Sequence, residues 1–305
     1  MPEDKFYLKN KYLSEPQKKY AWAVVFVPLI SIFFSIPIVF TIGVNSIDIW
    51  IFLLMTILST IGIEVGFHRY LSHNSFKTNN IFRKALAIMG CIAGEGPPIY
   101  WVATHRRHHQ YSDKIGDPHS PNLTGTGFKN KLRGLWHAHL GWIVDLELTN
   151  TALYAKELLK DSSLYSINKY YFLWFLSGLI IPGIIEGLIT QSWLGFLSGI
   201  LWGGIIRIFV AQNLTYSINS LCHVYGNVFL KTEDKSKNIG GIFAILTWGG
   251  SYHNNHHAFP NTAINQFTWW QIDLSGLLLR IFESIGLVWD LKCPRLEAIA
   301  AKKVK

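Results

Sequence analysis

Apolar and polar positions separate into long blocks along this chain. Four runs, about 21–42, 47–67, 170–189 and 193–212, are apolar almost throughout. Each is long enough to cross the hydrocarbon core of a bilayer as a helix, which takes roughly 20 residues. Gly43–Ser46 joins the first pair and Thr190–Ser192 the second, so the pattern predicts two helical hairpins. Three longer polar segments surround them. Within these, Lys84–Ala93 and Gly276–Trp289 are moderately apolar but too short or too interrupted to span, and predict helices lying on the membrane.

Composition and charge orient this picture. The 305 residues are 50% hydrophobic and only 15% charged, a balance that places the chain in a membrane. Of its 28 lysines and arginines, all but Arg207 fall in the three polar segments, and the short connections hold none. The positive-inside rule therefore puts those segments, and both termini, on the cytoplasmic side. The opening M-P-E-D-K-F-Y-L-K-N-K mixes charges well ahead of the first apolar run, unlike a cleavable signal peptide. A net charge of +9 is scattered among spans rather than set in one stripe, which argues against nucleic acid as a partner. Cys91, Cys222 and Cys293 form no C-x-x-C pair and read as small hydrophobes. No repeat or boundary divides the chain, so a single domain is expected over 1–305, with a core of about 20–290. Arg207, inside the fourth run, needs an internal partner, for which Glu186 is the candidate.

Histidine carries the chemistry. H-R-Y-L-S-H contains His68 and His73, H-R-R-H-H contains His105, His108 and His109, and H-N-N-H-H contains His253, His256 and His257. His223 follows Asn219 by four residues. All lie just outside the apolar runs, on the predicted cytoplasmic side. Neutral imidazole offers a free lone pair and is the commonest side-chain metal ligand. Residues three and four apart share a helix face, which suits the two H-x-x-H-H boxes and the Asn219–His223 pair. His68 and His73 are five apart, so they bind different metals or the helix unwinds between them. Nine imidazoles exceed the shell of one ion and point to two metals. His119, His137 and His139 read as ordinary polar residues. Zn, Cu, Fe and Ni all suit imidazole. Without H-E-x-x-H or G-x-S-x-G, redox chemistry on an apolar substrate fits better than hydrolysis and favours iron, with zinc left open.

In type and order, H-R-Y-L-S-H, W-V-A-T-H-R-R-H-H-Q-Y-S-D-K-I-G-D-P-H, N-S-L-C-H-V-Y-G and S-Y-H-N-N-H-H-A-F-P resemble the membrane fatty acid desaturases, specifically the Δ9 acyl desaturase branch. The resemblance covers roughly residues 20–290. It implies an all-α integral membrane protein, with four transmembrane helices in two hairpins and a cytoplasmic helical cap holding a histidine-ligated dimetal site. It implies two Fe ions, with O2 as co-substrate, placing a cis double bond at Δ9 of a saturated acyl chain. Carried over by position, His68, His73, His105, His108, His109, His223, His253, His256 and His257 would bind iron, and Asn219 would act through a water. Glu64, Asp113 and Asp117 are candidates for orienting imidazoles through the other ring nitrogen, beside an ordinary reading as loop or helix-end charges. Trp101, Thr215 and Tyr216 match the family's positions at a bend in the substrate tunnel. Thr56 and Thr60, one turn apart on the second span, are candidates for chain-length control; helix-backbone bonding is the competing reading.

One departure concerns the head group. Animal acyl-CoA members carry an Arg-Asp pair just before the second box, where this chain has Ala103-Thr104, a version closer to bacterial members. Acyl-CoA, an acyl carrier protein and a glycerolipid all remain open as the form of the substrate. With no H-P-G-G box, electrons are expected from a separate ferredoxin or cytochrome-b-type carrier. The competing functions are a sister diiron hydroxylase, a membrane zinc hydrolase of lipid amides, and a metal transporter. Transport would need ligands within the spans rather than beyond their ends. The K-K-V-K tail fits endoplasmic-reticulum retrieval, whereas Ala103-Thr104 leans towards a bacterial inner membrane.

Overall fold

The computed structural model describes residues 7–8, 11–144 and 148–304; most of the charged N-terminal stretch and the last residue of K-K-V-K lie outside the described residues. In chain order the helices that build the site are α1 (Lys11–Ile42), α2 (Ser46–Ser72), α3 (Asn80–Ile92), α4 (Pro98–Tyr111), α5 (Phe128–Trp136), α6 (Tyr171–Thr190), α7 (Trp193–Leu221), α8 (His253–Ala258) and α9 (Leu274–Ser284). Strand among the described residues is limited to two antiparallel ladders, Tyr7–Leu8 with Leu148–Thr149 and Lys77–Thr78 with Val288–Trp289.

Among the described residues, four helices are long and apolar enough to cross a membrane: Gln17–Pro37 of α1, Ser46–Ser72, Tyr171–Thr190 and Trp193–Leu221. Local chemistry sets where they begin. Gly43 turns the chain at φ +84. The Asn45 side chain then accepts from the backbone of Ile47 at 2.7 Å and Asp48 at 3.0 Å, while Asp48 accepts from the Asn45 N–H at 2.7 Å. This reciprocal cap satisfies backbone donors that an apolar helix start would otherwise leave bare. Between α6 and α7, Gln191 takes the left-handed conformation and Ser192 caps the next helix. The two helices pack closely because their contact is made of small residues: a Cβ on Gly199 would stand 2.4 Å from the Pro182 carbonyl.

Both α2 and α7 run further than the apolar runs alone indicate, to Ser72 and Leu221. The reason is burial within protein rather than lipid. Gly62 to Arg69 are all buried, so Glu64, His68 and Arg69 continue the helix among polar partners. Over Ile61–Ser72 the helix widens to π form, as does Ile200–Ile206 in α7. Such wide turns collect at functional sites.

α3 corrects the expectation of a surface helix over Lys84–Ala93. Leu86, Ala87 and Cys91 are fully buried, and the helix packs against α2 and α6. Gly62 and Gly66 of α2 open the groove that receives it; a Cβ on Gly62 would lie 2.1 Å from the Met89 backbone. α9, by contrast, keeps Leu277, Ile281 and nearby Ile285 exposed on one stripe over buried Leu279.

Arg207 is likewise corrected. It is fully buried, but its partner is not Glu186. The guanidinium donates to the carbonyls of Gly203 at 2.9 Å, Gly178 at 2.7 Å and Ile92, and to the Ser59 hydroxyl at 3.1 Å. It thereby ties α2, α3, α6 and α7 together with carbonyl dipoles instead of a counter-charge. Glu186 is fully buried among the neighbours of Asp48, which accepts from Ser198.

Candidate metal centre

The second and fourth spans end where the histidines begin. His68 closes α2, His73 follows it, α4 carries His105, His108 and His109, His223 follows α7, and α8 carries His253, His256 and His257. The fold gathers all nine into two groups. His68, His73, His105, His109 and His256 form one, and His108, His223, His253 and His257 the other, with the candidate ligand atoms of each group within 4.8 Å of one another. His68 and His73 thus share a group. The π turn makes this possible: the His73 N–H bonds to the His68 carbonyl, five residues back, at 3.2 Å.

Surrounding bonds aim these elements. Arg69, next to His68, makes a two-pronged ion pair with Asp273 at 2.8 and 3.1 Å and donates to Ala263 at 2.6 Å, joining α2 to the segment after α8. Arg106 donates to the carbonyls of Leu71 and Ser72 at 2.8 and 2.9 Å, fixing α4 on the end of α2. The two asparagines inside H-N-N-H-H face away from the metal groups. Asn254 accepts from the backbone of Phe229 and Leu230, and Asn255 donates to Asn265 and Gln271.

Four carboxylates then fix the tautomers. Nδ1 of His68 faces Glu64 at 3.3 Å, that of His108 faces Asp117 at 2.9 Å, that of His223 faces Asp113 at 2.9 Å, and that of His257 faces Asp234 at 2.7 Å. A proton held on Nδ1 leaves Nε2 with a bare lone pair. Across both groups the Nε2 atoms crowd inward: His68–His256 2.9 Å, His73–His105 2.8 Å, His105–His109 3.0 Å, His109–His256 2.9 Å and His223–His253 3.0 Å. One N–H on His256 cannot serve both His68 and His109. Nε2 of His108 and of His257 are buried with no hydrogen-bond partner among the described residues. Facing lone pairs at these distances repel unless a cation lies among them, and separations near 2.9 Å match neighbouring donors about 2.0–2.1 Å from one ion. The donor set fits two imidazole-bound metal ions.

The charge states agree. Burial, aided by neighbouring histidines, holds His73, His105, His109, His253 and His256 well below the usual imidazole range. Burial likewise lowers His257 to about 4 against the pull of Asp234. At neutral pH these rings are free to ligate. His108 is the exception: burial pulls it down, but Asp117, Asp113 and Asp234 together outweigh burial and raise it. Burial opposes ionisation of Asp113, Asp117 and Asp234, yet hydrogen bonds from His223, His108 and His257 hold all three below the usual carboxylate range, Asp117 at about 2.

Beside this centre lie three cavities that share lining residues. An apolar one of about 310 Å³ lies between α1 and the start of α6, reaching from Gln17 and Ala21 past Phe172 to Trp142 and Tyr216. A narrower one passes Trp101, His105, Asn219, Thr215 and Tyr216. A third descends past Thr215 and Ile63 to Ser59 and Thr60. Trp101 stacks on His105 with ring centres 5.0 Å apart. Trp101, Thr215, Tyr216, Asn219 and Thr60 therefore all face the cavities, whereas Thr56 lines none of these three. Both threonines also bond their own helix, Thr56 to Phe52 at 2.7 Å and Thr60 to Thr56 at 2.9 Å.

Three residues gain roles that the sequence alone does not assign. Asp234 backs His257 from a polar loop with nothing in its local pattern to mark it. His119, an ordinary polar residue by sequence, is buried with no partner for Nδ1 among the described residues and stacks on His108 at 4.2 Å; its place two residues after Asp117 is the available signal. Glu95, a buried carboxyl, lines all three cavities. His139 is ordinary, bonded to Ser220 and Asn213.

Comparison with known proteins agrees with this arrangement. The family model described as fatty acid desaturase matches residues 47–273. The chain is 44% identical over 299 residues to a hex-5-enoyl-[acyl-carrier protein] acetylenase of Moorena producens, covering 97% of this chain and 93% of that protein. It is 35% identical over 246 residues to Delta-9 acyl-lipid desaturase 2 of Arabidopsis thaliana, covering 81% and 75%. Similarity to the sn-1 stearoyl-lipid 9-desaturase of Synechocystis is 31% over 296 residues, covering 95% and 86%.

Proposed function

The chain belongs to the fatty acid desaturase family, and from that premise we propose that it removes two hydrogens from adjacent carbons of an acyl chain at a two-iron centre, consuming O2 and two electrons. The observation that carries this reading is the inward crowding of Nε2 atoms in groups of five and four beside an apolar cavity. Two irons held there would supply an oxidant strong enough for unactivated C–H bonds, which no side chain provides.

The protein's own part is to hold and to exclude. His68, His73, His105, His109 and His256 would hold one iron. His108, His223, His253 and His257 would hold the other, with Asn219 reaching it through a water. Glu64, Asp113, Asp117 and Asp234 keep the proton on Nδ1 of their histidines and the lone pair on Nε2. Trp101, Thr215 and Tyr216 wall the bend against water, and Thr60 lies at its deep end. A single domain spans the chain, and the two helical hairpins carry a helical cap on the cytoplasmic side of a bacterial inner membrane or the endoplasmic reticulum. A separate ferredoxin or cytochrome-b-type protein delivers the electrons.

Ala103 and Thr104 are both buried, so neither is placed to touch the phosphates of a CoA head group. This supports a carrier-protein or glycerolipid substrate, and the relatives' names include both. The reading has two forms. In the first, a saturated chain gains a cis double bond at Δ9, as in the names of the Arabidopsis and Synechocystis proteins. In the second, a chain already holding a double bond gains a triple bond, as the Moorena protein's name describes, and the 44% identity favours keeping this form in view.

Expression in cells lacking their own desaturase, followed by gas chromatography–mass spectrometry of total acyl chains, tests the reading. A new double or triple bond formed only in air, and absent with His257→Ala, is the expected result. A hydroxylated product would indicate the sister chemistry, and O2-independent cleavage of a lipid amide the zinc hydrolase.

A further inference from the structure

Glu95 stands where the three cavities meet, in a channel otherwise suited to hydrocarbon. It is 8% exposed. Its Oε2 accepts from the Trp101 indole N–H at 3.0 Å. Its Oε1 is buried and makes no well-formed hydrogen bond among the described residues, the Thr215 hydroxyl being the polar group that pulls on the carboxyl from beside it. Burial pushes this carboxyl up to about 7, against the pull of Thr215 and Trp101, with the Glu64 charge adding to the rise. Tyr100 and Tyr216 face it across the cavities and carry no charge at neutral pH. A hydrocarbon chain seated here displaces water and favours the neutral acid further, leaving an O–H donor that has no well-formed protein acceptor and only the Thr215 hydroxyl beside it. A buried donor left unpaired disfavours whatever ligand leaves it so. A saturated chain does that, whereas a chain with an acceptor at the bend relieves it.

We propose that Glu95 makes the site selective for acyl chains that already carry a hydrogen-bond-accepting group at the bend, a carbon–carbon double bond or an oxygen substituent, over fully saturated chains. This rests on the acyl-chain reading above and favours its second form, in which the incoming chain is already functionalised. Glu95 acts as a recognition group: its O–H points at the acceptor and sets which carbons lie beside His105, through the stacked Trp101.

The test is equilibrium binding, which needs no turnover. Metal-loaded protein in lipid nanodiscs is equilibrated with a radiolabelled saturated fatty acid. The label is then displaced by fatty acids of graded length in three series: saturated, singly unsaturated and hydroxylated. Wild-type protein should bind an oxygen-bearing chain roughly five- to tenfold more tightly than its saturated counterpart, and a chain with a double bond, whose π face is the weaker acceptor, by a smaller but resolvable factor. The series showing this preference identifies the acceptor as the double bond or the oxygen. Glu95→Gln, whose amide still donates, should keep the preference, and Glu95→Leu should lose it while binding the saturated chain at least as well. Equal affinity for all three series in wild-type protein overturns the proposal, whatever the variants do. So does a preference that survives in Glu95→Leu, or an equal loss for all chains in both variants, which would mark Glu95 as a support for Trp101 alone. Failure of folded protein to bind any acyl chain would instead sink the acyl-chain reading beneath it.

Discussion

Nδ1 of His257 lies 2.7 Å from Asp234 Oδ2, and Oδ1 of the same carboxylate accepts from the Ser236 backbone at 2.9 Å. A loop far from the third histidine box in sequence thus sets which nitrogen of His257 faces the metal. Asp234→Asn keeps the shape but removes the charge. Metal affinity at the four-histidine group should fall roughly 10–100-fold while the five-histidine group keeps its affinity. Chelator competition on purified protein reads this. Equal weakening of both groups would show that Asp234 holds the cap together rather than tuning one ion.

The metal-free protein should weaken in acid. In the unfolded chain the histidines take up protons near pH 6.5. In the folded chain burial lowers His257 to about 4 and holds His253 and His256 well below the usual range. Between those limits the unfolded state binds more protons, so stability drops as pH falls. His108 runs the other way: its raised value makes its contribution present at low pH and lost as pH rises, but it is one ring against several. Thermal unfolding of metal-free protein should shift steadily lower from about pH 7 to about pH 5. A flat or rising midpoint would contradict the neutral, buried imidazoles described here.

The crossing of α2 and α3 depends on a missing side chain. A Cβ on Gly62 would lie 2.1 Å from the Met89 backbone, and backbone cannot swing aside as a side-chain tip can. Gly62→Ala should cost roughly 1–3 kcal/mol, the usual range for overpacking, and more if the helices separate. A thermal midpoint unchanged in detergent would mean that the crossing is looser than these distances.

Thr60 lines the cavity that runs from Thr215 past Ile63 to Ser59, and Thr56 lines none of the three cavities. Thr60→Leu should therefore shorten the longest acyl chain accepted by one or two carbons, whereas Thr56→Leu should leave the chain-length profile unchanged. Product chain lengths in expressing cells distinguish the two. Equal effects would remove Thr60 from the end of the channel.

Much of this architecture is legible in the amino-acid sequence. The four spans follow from apolar run length, because lipid imposes that composition on whatever crosses it. The histidine groups follow from spacing, since shared faces repeat every three or four residues. The differences between sequence and structure have a common origin: each concerns residues surrounded by protein rather than lipid. α2 and α7 outrun their apolar stretches because His68, Arg69 and Asn219 are surrounded by protein at the site. For Arg207 the sequence offers a carboxylate in the neighbouring span, yet carbonyls freed at helix turns satisfy it. The pattern of α3 suggests a surface helix because the receiving groove is made of Gly62 and Gly66, which leave no hydrophobic signal. His68 and His73 share a group only because a π turn widens between them, and no composition rule announces that. Asp234, Glu95 and His119 are single residues whose roles exist only through convergence of distant segments.

In the proposed function, nine histidines hold two adjoining irons. Elemental analysis by mass spectrometry, on protein purified from cells supplied with iron and zinc together, tests it most directly. Two irons per chain are expected, one lost in His105→Ala and the other in His253→Ala. A single metal per chain, or two zincs with iron absent, would contradict it.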